Sequence, residues 1–72
     1  MVNAKDLLDK YGETLLGRTV FTQAVGPWPG GISRVVELYP DPNAPEILFN
    51  VRLEYGGGEI GVFDDQRCDL VP

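Results

Sequence analysis

Three short stretches of this chain cannot carry a regular hydrogen-bonded ladder: GPWPGG at 26–31, PDPNAP at 40–45 and GGG at 56–58. Proline lacks the N–H that a ladder needs, and glycine supplies the positive φ of tight turns. Each stretch lies between runs rich in valine, isoleucine, phenylalanine and tyrosine, which fit a pleated sheet. With nine glycines and six prolines in 72 residues, no long helix fits beyond the N-terminal segment. The chain must fold as short strands joined by tight turns.

Read in order, the chain opens with a helix at 4–11. Asn3 is a good N-cap, Asp6 sits near the positive end of the helix dipole, and Gly12 is a stop. Leu7, Leu8 and Tyr11 recur at helical spacing and are expected to lie on the core. Residues 14–16 allow one more turn. Strands are expected at 18–23, 32–39, 46–55, 59–63 and 68–71. Adjacent Val35 and Val36 break the alternation of the second strand and predict a bulge. In the third, Ile47, Phe49, Val51, Leu53 and Tyr55 are expected to face inward, with Asn50, Arg52 and Glu54 outward. Ile60, Val62 and Leu70 are expected inward, and 64–66 to form a single 3₁₀ turn. The sum is an all-β domain: a five-stranded, SH3-like small barrel over 17–72, preceded by one short α-helix within 1–16 that caps it. Closing the sheet would remove its exposed edges.

Charge narrows the partners. The net charge is −5, and it gathers in residues 54–72, where Glu54, Glu59, Asp64, Asp65 and Asp69 face only Arg67. Such a chain repels phosphate backbones at long range. Nucleic acid is therefore a secondary expectation, which requires Arg18, Arg34 and Arg52 to share one face. There is no histidine, which removes the commonest general base and metal ligand. Cys68, the single cysteine, has acidic neighbours and is expected to be inert. No catalytic, cofactor-binding or metal-binding residues are expected, and the acidic cluster reads as a solvated rim. A lone cysteine and the lack of a ~20-residue apolar run suit a cytoplasmic protein with no membrane partner.

Two families carry pieces of this pattern. Gly26-Pro27-Trp28, then Gly30 and Val35, resembles the KOW motif of ribosomal proteins and transcription elongation factors, although Ser33 stands where that motif usually has glycine. This resemblance covers about a third of the chain and implies a small barrel that binds RNA. From Gly17 to Val71 the layout is similar to plasmid-encoded type II dihydrofolate reductases. Trp28-Pro29-Gly30 matches their Trp-x-Gly, and Ile60-Gly61-Val62-Phe63 falls on their Val-Gln-Ile-Tyr strand. That resemblance implies a barrel and, as an alternative function, a homo-oligomer that binds NADPH or another small molecule. Gly61 replaces the glutamine and Phe63 the tyrosine, so the implication extends to the fold rather than to the reductase activity.

Trp28 is the residue to single out. It can fold back over the core, or stand exposed as a binding anchor in a loop stiffened by Pro27 and Pro29. Tyr39, Tyr55 and Phe63 fall at strand ends and could line a groove with it. The expectation is a non-enzymatic adaptor, with Trp28, Tyr39, Tyr55, Phe63 and Arg34 as partner-binding residues. Its partner is expected to be a protein, with a basic segment suited to the acidic C-terminal third. The Ala-Leu-Tyr-Asp-Tyr loop of signalling SH3 domains is absent, so proline-rich ligands are not expected.

Overall fold

The computed structural model describes residues 2–72. Its elements are β1 (Val2–Asn3), α1 (Ala4–Tyr11), a 3₁₀ turn (Gly12–Leu15), β2 (Thr19–Thr22), β3 (Gly31–Leu38), β4 (Ile47–Leu53), β5 (Glu59–Phe63) and β6 (Arg67–Leu70). All ladders are antiparallel, in the order β1-β6-β2-β3-β4-β5.

The helix begins where its cap predicts. Asn3 Oδ1 accepts the Asp6 N–H at 2.8 Å, and the Ala4 and Lys5 N–H groups donate to the Gln66 and Asp64 carbonyls at 2.8 and 3.1 Å. Three of the donors that a helix start leaves open are thereby paired. Gly12 ends the helix at φ 56°, its N–H bonded to the Leu8 carbonyl. Ala4, Leu7 and Leu8 are buried and Tyr11 packs beside them. Each leucine contributes about 2 kcal/mol by leaving water.

The expected five-stranded closed barrel is instead an open six-stranded sheet. Val2 and Asn3 add the sixth strand, paired with Cys68 and Arg67. Among the described residues no ladder joins the two edge strands, β1 and β5. Helix α1 packs against β4, β5 and β6. Its apolar face thus covers part of what strand pairing would have to cover in a closed barrel.

The core consists of Leu15, Val20, Val35, Phe49, Val51, Val62 and Cys68, all fully or nearly fully buried, with the helix residues and Trp28 around them. The bulge lies where the adjacent valines predict it: the register shifts between Val35 and Glu37, leaving Val36 as the extra residue. A second shift, between Ile47 and Phe49, was not expected. It brings Ile47 onto the same side as Asn50, away from Phe49 and Val51. A β-carbon on Gly61 would stand 2.6 Å from Ile47 Cγ2 and 3.3 Å from Asn50 Oδ1, so Ile47 lies over Gly61. Tyr55 also departs from the inward row. It follows the end of β4 and is 85% exposed, because the chain has already entered the glycine turn. That turn forms as expected, with Gly56 and Gly57 at φ 95° and 70° and the Leu53 N–H bonded to the Gly58 carbonyl at 2.9 Å.

Candidate functional site

The loop that carries Trp28 is a tight turn. The Val25 N–H donates to the Trp28 carbonyl at 3.0 Å, and the Trp28 N–H donates back to Val25 at 2.8 Å. Gly26 takes φ 53° between them, followed by Pro27. Past the turn the chain runs flush against the end of β2. A β-carbon on Gly30 would lie 2.7 Å from both the Thr22 carbonyl oxygen and the Ala24 nitrogen, so only glycine fits. The indole folds back over β2 and its Nε1–H donates to Thr22 Oγ1 at 3.1 Å.

Trp28 is 6% exposed and belongs to the core cluster. Of the two readings open to it, the structure shows the one that folds back over the core, and Trp28 is not a surface anchor. The indole buries more apolar area than any other side chain type, and the buried Thr22 hydroxyl gives its N–H a partner, so nothing holds it in water. The turn after β4 packs on it: a β-carbon on Gly58 would meet the ring at 3.3 Å.

The four expected aromatics do not line one groove. Tyr39 is exposed, at φ 49°, and its N–H bonds the Leu48 carbonyl near the start of β4. Tyr55 lies beyond the other end of that strand. Leu48, which Tyr39 bonds, and Tyr55 are seven positions apart along the chain, about 20 Å when extended.

Phe63 does meet the Trp28 loop. It is 43% exposed, as is Val25. Both line a cleft of about 300 Å³ together with Gln23, Asp65, Gln66 and Arg67. The cleft is positioned by the end of β5, by the 64–66 turn and by a backbone bond from the Gln23 N–H to the Arg67 carbonyl at 3.2 Å. Gln66 is 8% exposed. Its Oε1 accepts the Phe63 N–H at 3.4 Å, which assigns the other amide atom, Nε2, as the donor. That Nε2 is buried with no hydrogen-bond partner, a state that costs about 1–3 kcal/mol. Asp65 and Arg67 are exposed, so the lining carries one charge of each sign. Sequence reasoning passed over Val25, Gln23, Gln66 and Arg67. A glutamine in an acidic turn has no local signature, and only the fold sets it, beside the end of β5, against Val25 from a distant loop.

The arginines separate. Arg34 and Arg52 are direct cross-strand partners, and Arg52 Nη2 bonds Glu59 Oε2 at 3.1 Å. Arg18 instead lies over the Tyr11 ring, 5.8 Å from its centroid. Thr19, its neighbour, pairs with Arg34, and successive side chains of a strand point to opposite faces. Cys68 is fully buried. Burial, and then the charge of Asp69, pushes its thiol up from 9.0 to about 12, so it is no nucleophile at neutral pH. Among the described residues no group of histidine, cysteine, aspartate and glutamate side chains could hold a metal ion. No described helix is long and apolar enough to cross a membrane. No family model, curated protein or solved structure matches the chain.

Proposed function

We propose that this chain is a non-enzymatic binding module that holds a segment of a protein partner in the cleft between Val25 and Phe63. The observation that carries the reading is the meeting of two half-exposed apolar side chains with a buried amide donor that has no partner. An apolar side chain of the partner fits between Val25 and Phe63. A carbonyl beside it is the acceptor that Gln66 Nε2, on the residue lining the cleft, lacks. The net charge of −4 on residues 54–72 favours a basic flank on that segment.

We read the scaffold as an SH3-like barrel opened at one seam. The order β6-β2-β3-β4-β5, with the last strand beside the first long one, supports this. The nucleic-acid reading has less support, since Arg18 lies over Tyr11 rather than beside Arg34 and Arg52. The NADPH-binding alternative has less still, because Ile47 overlies Gly61 where a ligand-contacting side chain would be needed.

The test is selection of peptides from a displayed random library with the full chain, then titration of the winners into isotopically labelled protein. Selected peptides share an apolar anchor, and the Val25 and Phe63 amides and the Gln66 side-chain amide shift. Phe63→Ala weakens binding about tenfold, the scale of a truncated anchor, and leaves the far-ultraviolet circular dichroism unchanged. No enrichment, shifts confined to other surfaces, or a Phe63→Ala variant that binds as wild type would each overturn the proposal.

A further inference from the structure

The register sets four side chains together on the outer face of β2, β3 and β4. Phe21 is the cross-strand partner of Ile32, and Thr19 of Arg34. Arg34 is in turn the partner of Arg52, and Arg52 of Glu59. Positions two apart on a strand share a face. Phe21 and Ile32, 42% and 39% exposed, therefore form an apolar row beside the cationic row of Arg34 and Arg52. The Glu54 N–H bonds the Ile32 carbonyl at 3.0 Å, and Asp69 is the partner of Phe21 on the other side. The face is thus apolar and cationic at its centre, with Asp69, Glu54 and Glu59 around it.

This arrangement works against the isolated chain. Like charges directly opposite each other on a sheet repel. Among the described residues Arg34 has no ion pair. Arg52 has only Glu59, and both side chains of that pair are well exposed, 61% and 41%. An exposed pair of this kind contributes little and exchanges readily. Between the arginines lies a shallow hollow of about 200 Å³, lined by Arg34, Val36, Arg52, Leu53 and Glu54. Two guanidinium groups over an apolar floor suit one oxyanion attached to an apolar group, since guanidinium forks bind carboxylates in pairs of bonds.

We infer that this face is a second interaction surface, which takes a protein segment presenting one carboxylate between apolar side chains. The carboxylate bridges Arg34 and Arg52, and the apolar side chains cover Phe21 and Ile32. The acidic surround limits the ligand to a single negative charge: a polyacidic segment or a phosphate backbone would meet Glu54, Glu59 and Asp69. The inference uses none of the cleft residues, so it stands or falls apart from the reading above.

The probe is a short end-capped peptide with one glutamate between two valines, titrated to millimolar concentration into the full chain with labelled arginine side chains. The Nε signals of Arg34 and Arg52 and the amides of Phe21 and Ile32 are expected to shift together. Replacing the peptide's glutamate by glutamine is expected to weaken binding about tenfold, as loss of charge-assisted bonds does. Arg34→Gln is expected to do the same at unchanged circular dichroism. Arg34→Glu tests the charge by reversal, and should prefer the peptide with lysine in the central position. Equal binding of the glutamate and glutamine peptides, no shift at either arginine, or shifts produced only by a single-stranded oligonucleotide would each overturn the inference.

Discussion

Replacing Trp28 by alanine removes the largest side chain of the core cluster. The indole is 6% exposed and its N–H is bonded to the buried hydroxyl of Thr22. Truncating a buried aromatic residue costs about 3–5 kcal/mol, and loss of the hydrogen bond is worth about 1 kcal/mol of this range. At about 0.05–0.15 kcal/mol per residue, a chain of 72 residues has a stability of roughly 4–11 kcal/mol. The substitution therefore removes from about a quarter of the stability to all of it. Urea unfolding followed by far-ultraviolet circular dichroism measures the loss, since the mutant has no tryptophan to report. The midpoint should fall by several molar, with a slope near 1 kcal/mol per molar for a domain of this size. Trp28→Phe keeps most of the apolar contact and loses the donor, so it should cost about 1–2 kcal/mol. Thr22→Val removes the acceptor. The double variant should show a coupling of about 1 kcal/mol between the two positions. A Trp28→Ala midpoint within about 0.5 kcal/mol of wild type would refute the reasoning, for it would mean that the loop carries its tryptophan outside the cooperative unit.

Gly30 and Cys68 give three further outcomes. Gly30→Ala places a β-carbon 2.7 Å from two backbone atoms at φ 73°, and neither atom can swing aside as a side chain would. It should cost more than about 2 kcal/mol, read as a lowered thermal midpoint, and a neutral result would mean that the turn rebuilds without Trp28 leaving the core. Cys68 should resist a thiol reagent at pH 8 in the native protein and react fully in urea. Its thiol pKa is raised from 9.0 to about 12 by burial and by Asp69. The native state thus keeps the proton that the unfolded chain loses. The stability tied to this group is fully present below pH 9 and falls as pH rises toward 12, by at most about 1.4 kcal/mol per pH unit. Cys68→Ala should flatten that alkaline decline, measured as urea midpoints at pH 8 and pH 10; an unchanged decline would place its cause elsewhere.

Local chemistry was legible without the structure. The cap of Asn3, the apolar spacing of Leu7, Leu8 and Tyr11, and the stop at Gly12 involve neighbours within a turn or two, and the helix follows them at 4–11. The bulge at Val35 and Val36 and the glycine turn at 56–58 are likewise properties of adjacent residues. The candidate sites were not legible in this way. Whether Trp28 folds back or stands exposed depends on where the Thr22 hydroxyl ends up after the strands pair. The shift near Leu48 turned Ile47 onto Gly61, and no alternation of side chains announces a shift of that kind when every residue of the run is apolar. The cleft of Val25, Phe63 and Gln66 joins segments nearly forty residues apart.

By itself the sequence determined that this protein is β-rich, where its turns lie, that one amphipathic helix precedes them, and that its charge is concentrated at the C-terminal end. Those properties are set by φ restrictions, hydrogen-bonding capacity and side-chain period, which act within a few residues. The tertiary structure alone decided that the sheet stays open with Val2 and Asn3 as an added strand, that Trp28 is core, and that Arg34 faces Arg52 while Arg18 covers Tyr11. Each of these depends on strand register and order. A slip of one residue reverses every side chain of a strand, and only the packing of distant apolar faces against one another selects the register that is observed.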